Sequence, residues 1–162
     1  MILLDTNVLS ALMRQTPDRQ VMARLDGQPR TSVWTTSVTI LEVRFRLQIM
    51  PAGKRRSLLM QAFETLLDKI GQRVAPFDVA AAQQAGDLMA TRQKRGRPGD
   101  LRDTMIAGIA LAHHATLATR NTKDFEDLSI SIVSPLATPA EPQGKCVADE
   151  PTSRPREDIF AK

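Results

Sequence analysis

Short apolar runs of three or four residues alternate with longer stretches of helical period along most of this chain, and no feature constrains its fold more tightly. The runs at 2–4, 32–35, 73–75, 116–118 and 130–133 read as strands. The stretches 38–50, 54–70, 79–94 and 104–113 have the length and apolar spacing of helices. Pro51-Ala52-Gly53 separates the first two helices and Gly96-Arg97-Pro98-Gly99 the last two. Strands joined through helices must run parallel, so the pattern predicts an α/β fold around a central parallel sheet.

Four acidic residues punctuate that pattern. Asp5 closes the first apolar run, Glu42 lies early in the first helical stretch, Asp103 immediately precedes the last, and Asp124 follows the fourth run. Open α/β sheets bind their ligands beyond the carboxyl ends of the strands, so Asp5 and Asp124 fall where a site belongs, and Glu42 and Asp103 can face the same crevice. Oxygen ligands gathered from distant segments suit Mg²⁺ or Mn²⁺. Each acid also has a purely structural use. Asp5 and Asp103 have the character of helix N-caps, Thr39-x-x-Glu42 has capping-box spacing, Glu42 can pair with Arg46 one turn on, and Asp124 can close an Asx-turn. Four acids at equivalent places in one repeating pattern favour a site over four separate caps.

Composition removes several classes. A single cysteine, Cys146, excludes an intramolecular disulfide framework and a cysteine-based zinc site, and fits a reducing cytoplasm. Met1-Ile2-Leu3-Leu4-Asp5 has no basic stretch ahead of its apolar residues, so no signal peptide is expected. No apolar run approaches the length of a membrane span. The net charge of +4 and isoelectric point near 9.7 point weakly to a polyanionic partner. From about residue 137, prolines at 139, 142, 151 and 155 break any period, and 137–162 is expected to be a disordered tail beyond a single domain at 1–136. The tail holds four basic and five acidic residues, so the basic excess lies in the body.

Read together, Met1-Ile2-Leu3-Leu4-Asp5-Thr6-Asn7-Val8-Leu9-Ser10, Ser37-Val38-Thr39-Ile40-Leu41-Glu42-Val43-Arg44, Arg102-Asp103-Thr104-Met105-Ile106-Ala107-Gly108-Ile109-Ala110 and Thr116-Leu117-Ala118-Thr119-Arg120-Asn121-Thr122-Lys123-Asp124-Phe125 resemble the PIN-domain toxins of the VapC type, especially their FitB-like branch. The resemblance runs in order over about residues 1–136 and leaves the tail outside. It implies a PIN-like α/β/α sandwich with a central parallel sheet. It also implies a Mg²⁺-dependent endoribonuclease, with Mn²⁺ able to substitute. Such an enzyme is the dimeric, cytoplasmic toxin of a type II toxin–antitoxin pair, silenced by a cognate antitoxin that inserts a segment into or near the acidic pocket. Asp5, Glu42 and Asp103 fall on the family's first three acidic positions. The fourth falls on Asn121 or Asp124, since relatives differ there. The resemblance thus ranks Asp5 and Asp103 as direct metal ligands and Glu42 next, placing or deprotonating the attacking water, with Asn121 or Asp124 completing the network.

An RNA phosphodiester repels hydroxide, and its cleavage builds further negative charge on the phosphate and the leaving oxygen, which is why such a site needs a divalent cation. Thr6, Asn7, Ser37 and Thr119 are the neutral polar residues nearest the acids and are candidates to fix carboxylate rotamers, although capping is the simpler role for Asn7. Arg44, Arg46, Arg120 and the run Arg92-Gln93-Lys94-Arg95-Gly96-Arg97 are candidates for phosphate contact. His113 and His114 read as a helix end, and Trp34 and the phenylalanines as packing of a core or a dimer face rather than base-stacking. The stripe Leu58, Leu59, Phe63, Leu66 and Leu67 suits a core, a homodimer face or an antitoxin groove. Two rivals stand against the nuclease. One is a PIN-fold RNA-binding or regulatory module that does not cleave, which the retained acids oppose. The other is a haloacid-dehalogenase-like phosphatase, which needs a second aspartate where this chain has Asn7.

Overall fold

The computed structural model describes residues 1–134 except 15, 17 and 18, so the tail expected at 137–162 lies outside the described residues. Five strands, β1 (Ile2–Leu4), β2 (Val33–Thr36), β3 (Val74–Ala75), β4 (Thr116–Ala118) and β5 (Ile132–Val133), form one sheet in the order β3-β2-β1-β4-β5. Every pairing is parallel, with Leu4 in register with Thr35 on one side and Ala118 on the other. The chain leaves β1 to build β2 and β3 on one side and later returns to build β4 and β5 on the other. The order therefore reverses at β1 and β4, where a crevice opens beyond the strand ends.

Among the described residues six α-helices cover the sheet: α1 (Thr6–Leu12), α2 (Arg19–Asp26), α3 (Ser37–Ile49), α4 (Lys54–Ile70), α5 (Val79–Lys94) and α6 (Leu101–Ala112). Successive strand residues point to opposite faces, and the core divides accordingly. Leu3 and Leu117 pack with Ile106, Ile109 and Phe125 on the α5–α6 side. Leu4 and Ala118 pack with Val8, Leu9, Val43, Leu47 and Phe63 beneath the first four helices. This is the predicted α/β/α sandwich.

Helix boundaries follow local chemistry. Met50 is extended (φ −66°, ψ 145°), as a residue before proline must be, and it ends α3. Gly71 takes a positive φ of 61° and donates its N–H to the Leu67 carbonyl, which closes α4. The last helix begins at Leu101 rather than 104 because Asp100, not Asp103, is its N-cap, with its carboxylate accepting from the backbone N–H of Arg102 at 2.8 Å and of Asp103 at 3.4 Å. Likewise Thr36 caps α3 by accepting from the Thr39 N–H at 2.9 Å, so Thr39 and Glu42 form no capping box. Of the phenylalanines expected in a core or a dimer face, Phe63 and Phe125 are buried in the core, while Phe45 is 54% exposed.

The two helices over one face meet through small residues. A Cβ added at Gly108 would stand 2.5 Å from the Ala81 carbonyl oxygen and 2.8 Å from the Ala85 Cβ, both on α5. Backbone cannot yield as a flexible side chain does. Gly108→Ala is therefore expected to lower stability by about 1–3 kcal/mol despite alanine's better helix propensity. A urea midpoint equal to or above that of the parent protein would contradict this packing.

Candidate active site

At the point where the strand order reverses, Asp5 follows β1 and Thr119 follows β4. The Asp5 backbone N–H donates to the Ala118 carbonyl at 3.0 Å, continuing the β1–β4 ladder by one bond. The Asp5 carboxylate caps α1, accepting from the Thr6 N–H at 2.6 Å, so the expected cap is real. Its other oxygen accepts from the Thr119 hydroxyl at 2.7 Å and from the Asn7 amide at 2.9 Å. Asn7 in turn accepts from the Arg120 N–H at 3.0 Å, and the Thr119 hydroxyl oxygen accepts from the Asn121 N–H at 3.0 Å. Capping was the simpler role for Asn7, yet its side chain ties the ends of β1 and β4 together around Asp5.

Glu42 comes from the second turn of α3 and is buried. One carboxylate oxygen accepts from the Thr6 hydroxyl at 2.5 Å, and the other faces Arg46 at 3.1 Å and Arg102 at 3.5 Å. The expected pairing with Arg46 is present, and Arg102 joins it from the first turn of α6. Glu42 therefore adds negative charge to the pocket while holding two half-exposed guanidinium groups at its edge. Of the polar neighbours expected to orient the acids, Thr6, Asn7 and Thr119 do so. Ser37 instead accepts from the Phe77 N–H at 3.0 Å and fixes the chain after β3.

Asp103 stands in the first turn of α6, with no hydrogen bond to its carboxylate among the described residues. Burial, then the negative charges of Asp5, Asp100, Asp124 and Glu42, push its carboxyl up to about 6. Burial also raises Asp5, with the charge of Glu42 adding to it, although the Thr119 and Thr6 hydrogen bonds and the charge of Arg46 pull the other way. Asp100 is also pushed up by burial, but the backbone N–H groups of Arg102 and Asp103 and the Arg102 guanidinium outweigh this and leave it below its ordinary value. Asn121 and Asp124 lie together on an exposed 3₁₀ turn (Thr122–Phe125), the amide of one donating to the carboxylate of the other. Both candidates for the fourth position thus occupy the same place.

The sequence-derived acids are therefore gathered at one end of the sheet. Among the described residues no three His, Cys, Asp or Glu side chains already stand in a ligating group. This arrangement still fits Mg²⁺, which is usually held through one or two carboxylates and keeps several waters. Asp103, unbonded and repelled by its neighbours, is the group whose charge a cation would relieve.

One expectation fails at Arg92. Rather than facing phosphates with the rest of its run, it is buried, and its guanidinium makes a fork to Asp127 at 2.8 and 2.7 Å. It also donates to the Thr104 hydroxyl at 3.1 Å and to the Asp124 carbonyl at 2.7 Å. The fork locks the end of α5, the first turn of α6 and the turn bearing Asp124 to one another. Sequence reasoning missed this clamp because Asp127 lies 35 residues away and no local pattern couples the two. Arg44, another phosphate candidate, pairs with Glu64 at 3.0 Å in solvent, while Arg120 stays exposed.

Comparison with known proteins agrees with this geometry. A family model described as the PIN domain matches residues 2–130. VapC ribonuclease Y4jK of Sinorhizobium fredii is 40% identical over 136 residues, spanning 83% of this chain and 97% of that protein. Toxin FitB of Neisseria gonorrhoeae is 31% identical over 136 residues, spanning 83% and 98%. A chain of the structure of FitAB bound to an IR36 DNA fragment superposes with a TM-score of 0.75 at 31% identity, covering 83% of this chain and 95% of its own.

Proposed function

The chain belongs to the PIN-domain family, and on that premise we propose that it is the ribonuclease toxin of a type II toxin–antitoxin pair, hydrolysing RNA phosphodiester bonds with Mg²⁺ or Mn²⁺. The observation that carries this reading is the gathering of Asp5, Glu42, Asp103 and Asp124 from four separate elements at the strand-order reversal of a parallel sheet. Within it the Asp103 carboxylate is left without a hydrogen bond among the described residues and is pushed above its ordinary value by burial and by the other acids. Asp5 and Asp103 are the residues to hold the cation. When bound, it supplies the positive charge that offsets the phosphate's and lowers the pKa of water for attack. The chain's own part is orientation. Thr119, Asn7 and the Thr6 N–H fix the Asp5 carboxylate before any ligand arrives. Thr6 holds Glu42, the group assigned to place or deprotonate the attacking water, while Arg46 and Arg102 wait beside it for the RNA phosphate. Asn121 or Asp124 completes the network from the 3₁₀ turn.

Partner surfaces fit the same reading. Leu41, Phe45 and Ile49 recur every four residues on α3 and are 61%, 54% and 65% exposed, an apolar stripe on the outside of a helix whose other side is core. Such a stripe suits a second copy of the chain or a cognate antitoxin. The cytoplasm is the compartment where both RNA and antitoxin would be met, and no helix among the described residues is long and apolar enough to cross a membrane.

Purified protein incubated with a mixed RNA pool and Mg²⁺ or Mn²⁺ is expected to cut it. Cutting should stop with EDTA and in Asp5→Asn and Asp103→Asn variants. Cleavage that survives both substitutions would place the activity elsewhere. Tight RNA binding without cutting under either metal would favour the non-cleaving module.

A further inference from the structure

A cavity of about 610 Å³ opens beside Asp103 and Asp124, between the 95–100 loop, the start of α6 and the 3₁₀ turn. Its wall is the locked Arg92, over which Gly99 passes so closely that a Cβ there would stand 2.7 Å from the guanidinium. Arg92 has most of its donors occupied by Asp127, Thr104 and Asp124 and presents a fixed surface rather than a free charge. Around it stand Arg95, Arg97 and Lys123, all exposed and with no side-chain ion pair or hydrogen bond among the described residues. These three come from the end of α5 and from the turn of Asp124, the two segments that the Arg92–Asp127 fork holds together.

Resting on the ribonuclease reading, we propose that this cavity takes the nucleotide next to the scissile bond of a single-stranded RNA, gripping its phosphate with Arg95, Arg97 and Lys123. The volume lies within the ordinary range for a small-ligand site, roughly 300–1,000 Å³. No aromatic side chain lines it, so it offers no base-stacking surface and holds the strand by its backbone, without reading sequence. Its acids, Asp100, Asp103, Asp124, Glu126 and Asp127, outnumber its four cations by one, and a divalent ion on Asp103 reverses that sign. Strand binding in this cavity is therefore conditional on metal, and phosphate and metal enter together.

The test uses fluorescent single-stranded RNA and the full chain carrying Glu42→Gln, so that the strand survives while Asp5 and Asp103 remain to hold the metal, with and without Arg95→Ala, Arg97→Ala and Lys123→Ala. Removing the three cations is expected to weaken binding in Mg²⁺ about ten- to a hundredfold and to reduce the slope of log affinity against log salt by about 0.7, the value of one single-strand phosphate contact. On the otherwise unaltered enzyme the triple substitution should raise KM with little change in kcat, and an unchanged melting curve shows that the fold is intact. The same affinity, slope and KM after the triple substitution, while the parent enzyme still cuts RNA, overturns the cavity assignment and leaves the ribonuclease reading standing. A parent enzyme that neither binds nor cuts RNA overturns both.

Discussion

Replacing Arg92 with alanine is expected to cost about 3–5 kcal/mol, the range for removing one partner of a buried ion pair. Arg92 is buried, whereas Asp127 is 29% exposed at its side chain and can regain some water when its partner goes, which favours the lower half of that range. The loss is not only of charge. The Thr104 hydroxyl and the Asp124 carbonyl each lose a donor, and the arginine stem leaves a gap beside α6. The Asp127 carboxyl is held below its ordinary value by the Arg92 fork, so this contribution is present at neutral pH and is lost as pH falls through the folded value. Arg92→Lys should recover only part, because a point charge cannot make the two parallel bonds that a guanidinium makes. Urea unfolding would show a lower midpoint with an unchanged slope. A loss under about 1 kcal/mol would mean that the clamp is not what secures the turn.

That clamp also marks where sequence stops being informative. Strand and helix positions were readable because they depend on period, and the shifts at their ends, such as Leu101 for 104, come from caps two to four residues ahead of the apolar pattern. The short α1 carries only Asp5 as its opening signal, and α2 is only eight residues long with half of them polar, so neither stood out as an element of its own. In the site, the acids could be read from their equivalent places at strand ends and helix starts. Their supports could be read only in part. Thr6 and Asn7 directly follow Asp5 and Thr119 precedes Asn121, and all three touch the acids, although the Thr6 hydroxyl reaches Glu42 and Thr119 reaches Asp5 only through the fold. Ser37 sits equally close but bonds to Phe77, because β2 and β3 are neighbours in space. Arg92 belongs to a charge run that looks solvated, and only the tertiary approach of Asp127 shows that one member is buried.

The same geometry sets an opposition between stability and function at Asp103. With its carboxyl at about 6 in the folded protein and 3.8 as its ordinary value, the folded state binds this proton more tightly than the unfolded one. The sign follows directly: in metal-free protein the ionised group works against folding above about pH 6, and that penalty disappears as pH falls below the ordinary value. Asp103→Asn should therefore make metal-free protein more stable at pH 8, on the order of 1 kcal/mol once water screening of a partly exposed group is allowed for. For a domain of this size that is a rise of about 2–4 °C in Tm. The advantage should vanish near pH 4. Mg²⁺ reverses the ranking, since a ligand that binds only the folded state stabilises it by mass action, and the parent protein should gain more Tm from Mg²⁺ at pH 8 than at pH 5. The variant should gain little at either pH. Its cleavage rate should fall by about 10²–10³-fold or more, as when an electrostatic contact to the transition state is removed. A variant less stable than its parent at pH 8 would show that Asp103 is not the repelled carboxylate, and one that keeps the full Mg²⁺ increment would show that it is not the group that receives the metal.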